Sequence, residues 1–236
     1  MNAPNKTPKT LNLLSTLFLL ISIITISVRL TGNDELENIF KPMLMPVLMI
    51  ILYTHSNKLS SIYSRLIFMA LGFSLLGDIF LMPLFDNFIF GLASFLLAHV
   101  LYIIAFAKMN SSFVLGLIKG KLYSSIIFLA YVFLVAFLVN KMIDSNTETF
   151  LLVAVVIYAS VITLMVLFSI SLSNNVEGIA TKMIMVGAIL FMLSDSIIAI
   201  NKFAFEVDLS GLWIMSTYTL GQWMIAVGSV KAERML

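Results

Sequence analysis

The chain has 236 residues, of which 61% are hydrophobic and 11% are charged, and its formal net charge is +2. Soluble domains carry roughly 25% charged residues, so this chain has too few polar groups to cover a globular surface in water. The sequence contains no cysteine, which excludes disulfides, thiolate nucleophiles and cysteine-ligated metals, and the small net charge gives no reason to expect a nucleic-acid partner. These properties predict an all-α, polytopic membrane protein with one domain over residues 1–236.

Long apolar runs of the length needed to cross a bilayer, about 20 residues as a helix, occur eight times. The first run follows Lys6 and Lys9 as in a signal peptide, but it is too long for one and no cleavage site follows it, so we expect a helix. The second is short and contains Pro42 and Pro46, which predict a kink. The predicted spans are Leu11–Leu30, Lys41–His55, Leu66–Leu84, Phe88–Ala107, Leu122–Asn140, Thr149–Leu172, Ala180–Ile200 and Ser210–Val230.

The loops between these spans alternate in charge. Because basic loops stay in the cytoplasm, the pattern predicts a multi-pass protein, typical of a bacterial inner membrane, with both termini and a short segment 1–10 in the cytoplasm. The predicted cytoplasmic side carries Lys6, Lys9, Lys58, Arg65, Lys108, Lys119, Lys121, Lys182, Lys231 and Arg234. The predicted outer side carries Arg29, Lys41, Lys141 and Lys202 together with most of the acidic residues.

The third and seventh spans share a short motif in which a small residue precedes an aspartate. The third contains Gly72-Phe-Ser-Leu-Leu-Gly-Asp78, and the seventh contains Gly187-Ala-Ile-Leu-Phe-Met-Leu-Ser-Asp195. The following spans open with Gly91-Leu92 and Gly211-Leu212. Because four spans separate the two motifs, the halves are candidates for a 4+4 parallel repeat. A chance similarity of two short motifs is the alternative.

Asp78 and Asp195 are the acidic residues that fall inside predicted spans. A carboxylate within the bilayer costs about 2.5–3.5 kcal/mol on insertion scales, so each needs a partner and a reason to be there. Each lies about six residues from the outer end of its span, roughly 9 Å deep at helical rise. The two aspartates are therefore expected at one depth.

Other polar side chains fall at compatible depths. His99 and Tyr102 share one helix face at i, i+3, and Tyr218 and Gln222 share another at i, i+4. Together these residues predict a polar cavity in the outer half of the bundle, lined by Asp78, His99, Tyr158, Asp195 and Tyr218. Further candidates near this level are Ser74, Lys41, Asn201 and Lys202.

Structural explanations exist for each of these residues. A buried aspartate can brace helices through a hydrogen bond, an intramembrane tyrosine or histidine can serve packing, and Lys41 and Lys202 can snorkel to the interface. Gly72, Gly77 and Gly187 predict close helix packing. The two histidines, of which His55 is expected in a loop, are too few for a three-histidine zinc site, and the sequence has no HExxH, G-x-S-x-G, P-loop or GxGxxG motif.

At these same residues the sequence resembles the YhhN family of membrane proteins, the lysoplasmalogenase family. The resemblance extends from about residue 40 onward, and the ordered pair of aspartate motifs with a histidine between them is its most specific part. It is carried by Lys41-Pro42, Gly72–Asp78, Gly91–Phe95, Ala98–Tyr102, Val156–Ala159, Gly187–Ser196, Ala199–Phe203 and Tyr218–Gln222.

The resemblance implies hydrolysis of the vinyl ether bond of a lysoplasmalogen, a single-chain ether phospholipid, to a fatty aldehyde and glycerophosphoethanolamine or glycerophosphocholine. It implies no metal and no organic cofactor. A vinyl ether is cleaved by protonation of its β-carbon, and water captures the oxocarbenium ion, as in two-carboxylate glycosidases. Two carboxyl groups in a bundle of low dielectric constant can divide this acid and base work.

The expected catalytic residues are Asp78, Asp195 and His99. Asp78 lies among leucines and is the expected proton donor, whereas Asp195 has serine neighbours and is the expected base for water. The expected substrate-binding residues are Tyr102, Tyr158, Asn201, Lys202, Tyr218, Gln222 and Lys41. Two other functions stay open: a proton- or cation-coupled transporter that uses the same aspartates, and a lipid-binding scaffold without enzymatic activity.

Overall fold

The computed structural model of the protein describes residues 8–56, 58–110 and 112–234, and this described part consists of helices and the turns between them. The predicted segment 1–10 lies mostly outside it. The helices are α1 (Pro8–Thr31), α2 (Asp34–Phe40), α3 (Leu44–His55), α4 (Ile62–Phe80), α5 (Phe88–Met109), α6 (Phe113–Lys119), α7 (Lys121–Asp144), α8 (Thr149–Asn175), α9 (Ile179–Phe203) and α10 (Ser210–Glu233).

The helices confirm the predicted all-α, polytopic membrane fold. In the described part, seven segments are long and apolar enough to cross a bilayer: α1, the stretch from α2 to α3, α4, α5, α7, α8 and α9. The eighth predicted span is α10, which has 24 residues but does not meet the same threshold of apolarity. It packs along α9 and also contacts α1 and α3, so its polar side chains face protein rather than lipid.

The second span begins earlier than the sequence predicted. Its first helix, α2, starts at Asp34, because the Asn33 side chain accepts a hydrogen bond from Leu36 N and acidic residues occupy the first turn. A 3-10 turn at Lys41–Met43 then joins α2 to α3 and contains Pro42, which places the predicted kink. The chain therefore runs from Asp34 to His55 as one bent span.

Two other boundaries differ from the prediction. Helix α4 ends at Phe80 rather than Leu84, since Pro83 cannot continue it and the chain turns back toward α5. The segment after α5, expected as a loop, contains the short helix α6. Gly116 lets α6 lie directly against α8, where Asn174 Nδ2 donates to its carbonyl at 3.0 Å.

Glycines set the closest helix contacts. A Cβ atom on Gly187 of α9 would lie 2.7 Å from the carbonyl oxygen of Gly221 on α10, and one on Gly77 would lie 2.6 Å from the Phe95 ring. Close packing is therefore confirmed for Gly77 and Gly187. The prediction of close packing is wrong for Gly72, where a Cβ atom would meet only the end of the Met49 side chain, at 4.0 Å.

The helix contacts follow an interleaved pattern. Helices α4 and α5 form one tight hairpin, and α9 and α10 form another. Helix α3 packs against α4 and α10, whereas α8 packs against α9 and α5. The second span of each half, α3 or α8, thus contacts the hairpin of its own half and the last helix of the other half. Two parallel repeats would show the same contacts. The duplication itself remains a prediction.

Candidate active site

The first polar group is built around Asp195 and brings together three helices. The Tyr158 hydroxyl of α8 donates a hydrogen bond to Asp195 Oδ2 of α9. His99 Nε2, on α5, lies 2.9 Å from the Tyr158 hydroxyl oxygen and 3.3 Å from Asp195 Oδ2. All three side chains are buried. We call Asp195, Tyr158 and His99 the Asp195 cluster.

The surroundings of His99 indicate its tautomer. Its Nδ1 is buried and has no hydrogen-bond partner among the described residues. A proton on Nδ1 would be a buried donor without an acceptor, whereas a bare Nδ1 leaves only an acceptor unused. We therefore place the proton on Nε2. The ring packs edge-on against Phe191, with ring centres 4.7 Å apart. His99 is therefore held as a donor toward Tyr158 and Asp195.

The second polar group is built around Asp78 on α4. The Tyr218 hydroxyl of α10 donates to Asp78 Oδ2 at 2.7 Å, and Lys41 Nζ lies 3.9 Å from Asp78 Oδ1. Lys41 is 6% exposed, so it does not snorkel to the interface but forms a buried ion pair with Asp78. We call Asp78, Tyr218 and Lys41 the Asp78 cluster.

Two of the expected substrate-binding residues form a separate chain of hydrogen bonds. The Tyr102 hydroxyl donates to Gln222 Oε1 at 2.7 Å, and Gln222 Nε2 donates to Ser74 Oγ at 3.0 Å. All three side chains are fully buried. These hydrogen bonds connect α5, α10 and α4. Each polar atom named has its hydrogen-bond partner within this group of three residues, as a structural brace requires.

Aromatic rings join the two clusters. Phe191 contacts His99 on one side and Tyr218 on the other, with ring-centre distances of 4.7 Å and 5.4 Å. Phe95 also contacts Tyr218, at 5.9 Å. The structure thus brings the predicted residues into one region, but as two hydrogen-bonded groups with a shared aromatic wall.

The two aspartates do not lie at equal distances from the ends of their helices. Asp78 is two residues from the end of α4 at Phe80, whereas Asp195 is eight residues from the end of α9 at Phe203. The expectation of about six residues in each case is wrong, because α4 ends four residues early and α9 runs three residues past its predicted end.

A small cavity reaches the Asp195 cluster between α5, α8 and α9. Its volume is about 40 Å³, enough for a few water molecules, since one needs roughly 10–15 Å³, but not for a lipid chain. Asp195 and Tyr158 line it, while Asp78, His99 and Tyr218 lie outside its lining. The remaining lining is apolar: Leu81, Phe88, Leu92, Phe95, Val155, Ile198, Ala199 and Phe203.

The end of α9 lies at the mouth of this cavity. Lys202 is exposed, and its Nζ lies 4.6 Å from the ring centre of Phe88, which lines the cavity. Asn201 instead accepts a hydrogen bond from Val207 N at 2.9 Å and closes the following loop. Of this pair, Lys202 is the one free to meet an anionic group.

Sequence reasoning missed Tyr131 on α7. This side chain lines a second small cavity at Asp195, which shares Val155, Tyr158 and Ala199 with the first. The available signal was the one that identified Tyr158, a tyrosine in the middle of an apolar span. Within the described residues, no three His, Asp or Glu side chains converge as a metal site would need.

Comparisons with known proteins agree on one family. The model of the YhhN family matches residues 36–229. The chain is 34% identical to lysoplasmalogenase TMEM86A of Bos taurus and 31% identical to lysoplasmalogenase TMEM86A of Homo sapiens, each over 171 residues. Each alignment covers 71% of this chain and 66% of the relative, so the chain matches slightly less than two thirds of their length. No solved structure matches it.

Proposed function

Because this chain belongs to the YhhN family, we propose that it hydrolyses the vinyl ether bond of lysoplasmalogens. The products would be a fatty aldehyde and glycerophosphoethanolamine or glycerophosphocholine. The observation that carries the proposal is Asp195, held by Tyr158 and His99 at the wall of an apolar, water-sized cavity. A proton donor, room for one water and an apolar wall for the reacting chain are what this reaction needs.

One carboxyl group can perform both proton transfers in turn. Asp195, as the acid, gives its proton to the β-carbon of the vinyl ether, and the double-bond electrons form the new C–H bond. The resulting oxocarbenium ion takes up water at the α-carbon while the Asp195 carboxylate accepts the water's proton. The hemiacetal hydroxyl then loses its proton as its oxygen forms the aldehyde C=O, the C–O bond to glycerol breaks, and the leaving glycerol oxygen takes up a proton to become the alcohol. Overall, one water is consumed and the enzyme is unchanged.

We propose unequal roles for the two aspartates. Asp195 lines the cavity, whereas Asp78 lies outside that lining and faces Lys41 and Tyr218. This differs from the assignment made from sequence, in which Asp78 is the donor and Asp195 the base. Phe95 and Phe191 pack against Tyr218, the partner of Asp78, and Phe95 also lines the cavity. The Asp78 cluster is therefore assigned the positioning of that aromatic wall.

The head group belongs at the outer mouth of the cavity. Lys202 is the cation there, and an ammonium group attracts the phosphate that both proposed substrates carry.

From the loop charges we further propose that both termini face the cytoplasm. The test is a reporter enzyme that is active only outside the cytoplasm, fused after Leu236. Activity of this fusion would contradict the proposed orientation.

The activity is tested with purified protein in lipid nanodiscs. An alkenyl lysophospholipid should release aldehyde, and the alkyl ether lysophospholipid of the same chain length, which lacks only the double bond and is the matched control, should stay intact. Folded protein that releases no aldehyde would contradict the proposal. In that case proton-coupled flux in liposomes would indicate a transporter, and bound lipid without flux would indicate a scaffold.

A further inference from the structure

An apolar groove runs along the lipid-facing side of the bundle between α7 and α8. Its volume is about 490 Å³. Two of its polar side chains are already satisfied, since Ser160 and Thr163 donate to carbonyls one turn earlier on α8. The groove therefore presents a nearly continuous hydrocarbon surface. It is lined by Phe128, Tyr131, Val132, Val135, Ala136, Val139, Val156, Ala159, Ser160, Thr163, Leu164 and Leu167.

The groove exists because α7 is fixed near its ends and stands away from α8 in between. Near its start, Gly120 allows α7 to approach Ile170 so closely that a Cβ atom would lie 3.2 Å from it. Near its end, Leu138 and Met142 are buried. Between these contacts the helix is largely exposed, with Phe133 at 77%.

The groove adjoins a small cavity at the Asp195 cluster. A second small cavity, of about 30 Å³, lies between α7, α8 and α9 and is lined by both Tyr158 and Asp195. It shares Tyr131, Val135 and Ala159 with the groove. A molecule in the groove is thus separated from Asp195 only by side chains that line both spaces.

We propose that the alkenyl chain of the substrate enters sideways from the bilayer and lies in this groove between α7 and α8. The inference rests on the proposed function and adds where the hydrocarbon chain binds. From Ala159, which lines both spaces, to Leu167 the groove extends about 12 Å at helical rise, which accommodates much of a long single chain. The vinyl ether is at the polar end of that chain, so it reaches Tyr158 and Asp195 while the tail points away.

The direction of the groove selects it over a neighbouring one. A smaller groove of about 220 Å³ between α5 and α8 also starts at Tyr158, but it runs to Phe150 and Ile89, toward the same end of the bundle as Phe88. The head group must occupy that end, next to Lys202. The groove between α7 and α8 runs the opposite way, to Leu167, and so holds the tail without crossing the head group.

Bulky substitutions along the groove test the chain's position. Leu167→Trp, at the far end of the groove, should lower kcat/KM for a hexadecenyl substrate by about tenfold or more and leave an octenyl substrate unaffected. Ala136→Trp, next to Val135 and the small cavity at Asp195, should also affect the octenyl substrate. Ala93→Trp in the groove between α5 and α8 is the matched control and should change neither. An unchanged chain-length preference in both groove variants, or a change in Ala93→Trp alone, would overturn the inference.

A binding measurement separates this inference from the proposed activity. A lysophospholipid with a diazirine at the end of its chain is photoactivated on the wild-type protein, and the labelled peptides are found by mass spectrometry. Labels on 128–139 and 159–167 are expected, whether or not the lipid is cleaved. Labels on 89–96 and 150–157 instead would place the tail in the other groove. Aldehyde release by the same wild-type protein reports on the hydrolase activity independently.

Discussion

The Asp195 and Asp78 clusters each contain an aspartate and a tyrosine, but they differ in charge and in access to a cavity. Each aspartate lies on the first helix of a tight hairpin and accepts a hydrogen bond from a tyrosine on another helix. Each has a second partner, which is His99 for Asp195 and Lys41 for Asp78. By helix position, however, Tyr158 corresponds to Lys41, since each lies on the second span of its half, and His99 corresponds to Tyr218, since each lies on the last helix of the other half.

The difference lies in charge and access. Asp78 has a buried ammonium group beside it and is 2% exposed, so its charge is matched inside the protein. Asp195 has a tyrosine and a histidine as its partners and lines two cavities. A carboxyl group that meets a cavity and has no fixed counter-charge can change its protonation during a reaction, whereas one in a closed ion pair serves to hold helices together.

The largest expected effect is that of Asp195→Asn on the rate. Asparagine keeps the shape and can still accept from Tyr158, but it cannot transfer a proton, so kcat for aldehyde release should fall about 10²–10⁴-fold. The melting temperature should stay near that of the wild type. A well-folded variant with near-normal aldehyde release would make Asp195 a structural residue and end the proposed mechanism.

Asp78→Asn should act mainly on stability. It leaves Lys41 buried without its counter-charge, and breaking one partner of a buried pair costs about 3–5 kcal/mol in the free energy of unfolding. The double variant Asp78→Asn, Lys41→Met should recover both stability and aldehyde release, since the unpaired charge is gone. If the double variant is stable but inactive, Asp78 takes part in the chemistry and the clusters share the catalytic work.

The two tyrosines extend the comparison with a smaller change. Tyr158→Phe removes the donor to the reacting carboxyl group and should lower kcat by about tenfold, the equivalent of one hydrogen bond to a charged group. Tyr218→Phe removes the corresponding donor to Asp78 and should lower the melting temperature with little change in kcat. Equal rate losses in the two variants would argue against unequal roles.

The smallest effect is expected at the mouth of the cavity. Lys202→Gln should raise KM about two- to fivefold, the worth of an exposed charge pair, with kcat unchanged and with a difference that shrinks at high salt. Lys141→Gln is the matched control, because Lys141 is also exposed and lies 6.0 Å from a phenylalanine ring, that of Phe137. If both variants change KM alike, Lys202 does not bind the head group.

The sequence by itself determined the class of protein and the order of the long helices in the described part of the chain. Hydrocarbon thickness fixes how long an apolar run must be, so composition and length identify the spans without tertiary information. The sequence also identified the two aspartates, because a carboxyl group in an apolar span is costly wherever it points. Gly77 and Gly187 were identified as packing positions for a similar reason, since small residues mark close contacts between such helices.

Only the tertiary structure decided which aspartate meets a cavity, that Lys41 is buried beside Asp78, and that Tyr131 lies near Asp195. These facts depend on which face of each helix is turned inward. In a soluble helix, polar residues mark the outer face and give that answer. Here the outer face is also apolar, as the exposed Phe128 and Phe133 of α7 show, so periodicity does not distinguish lipid from core. The packing of neighbouring helices makes that choice.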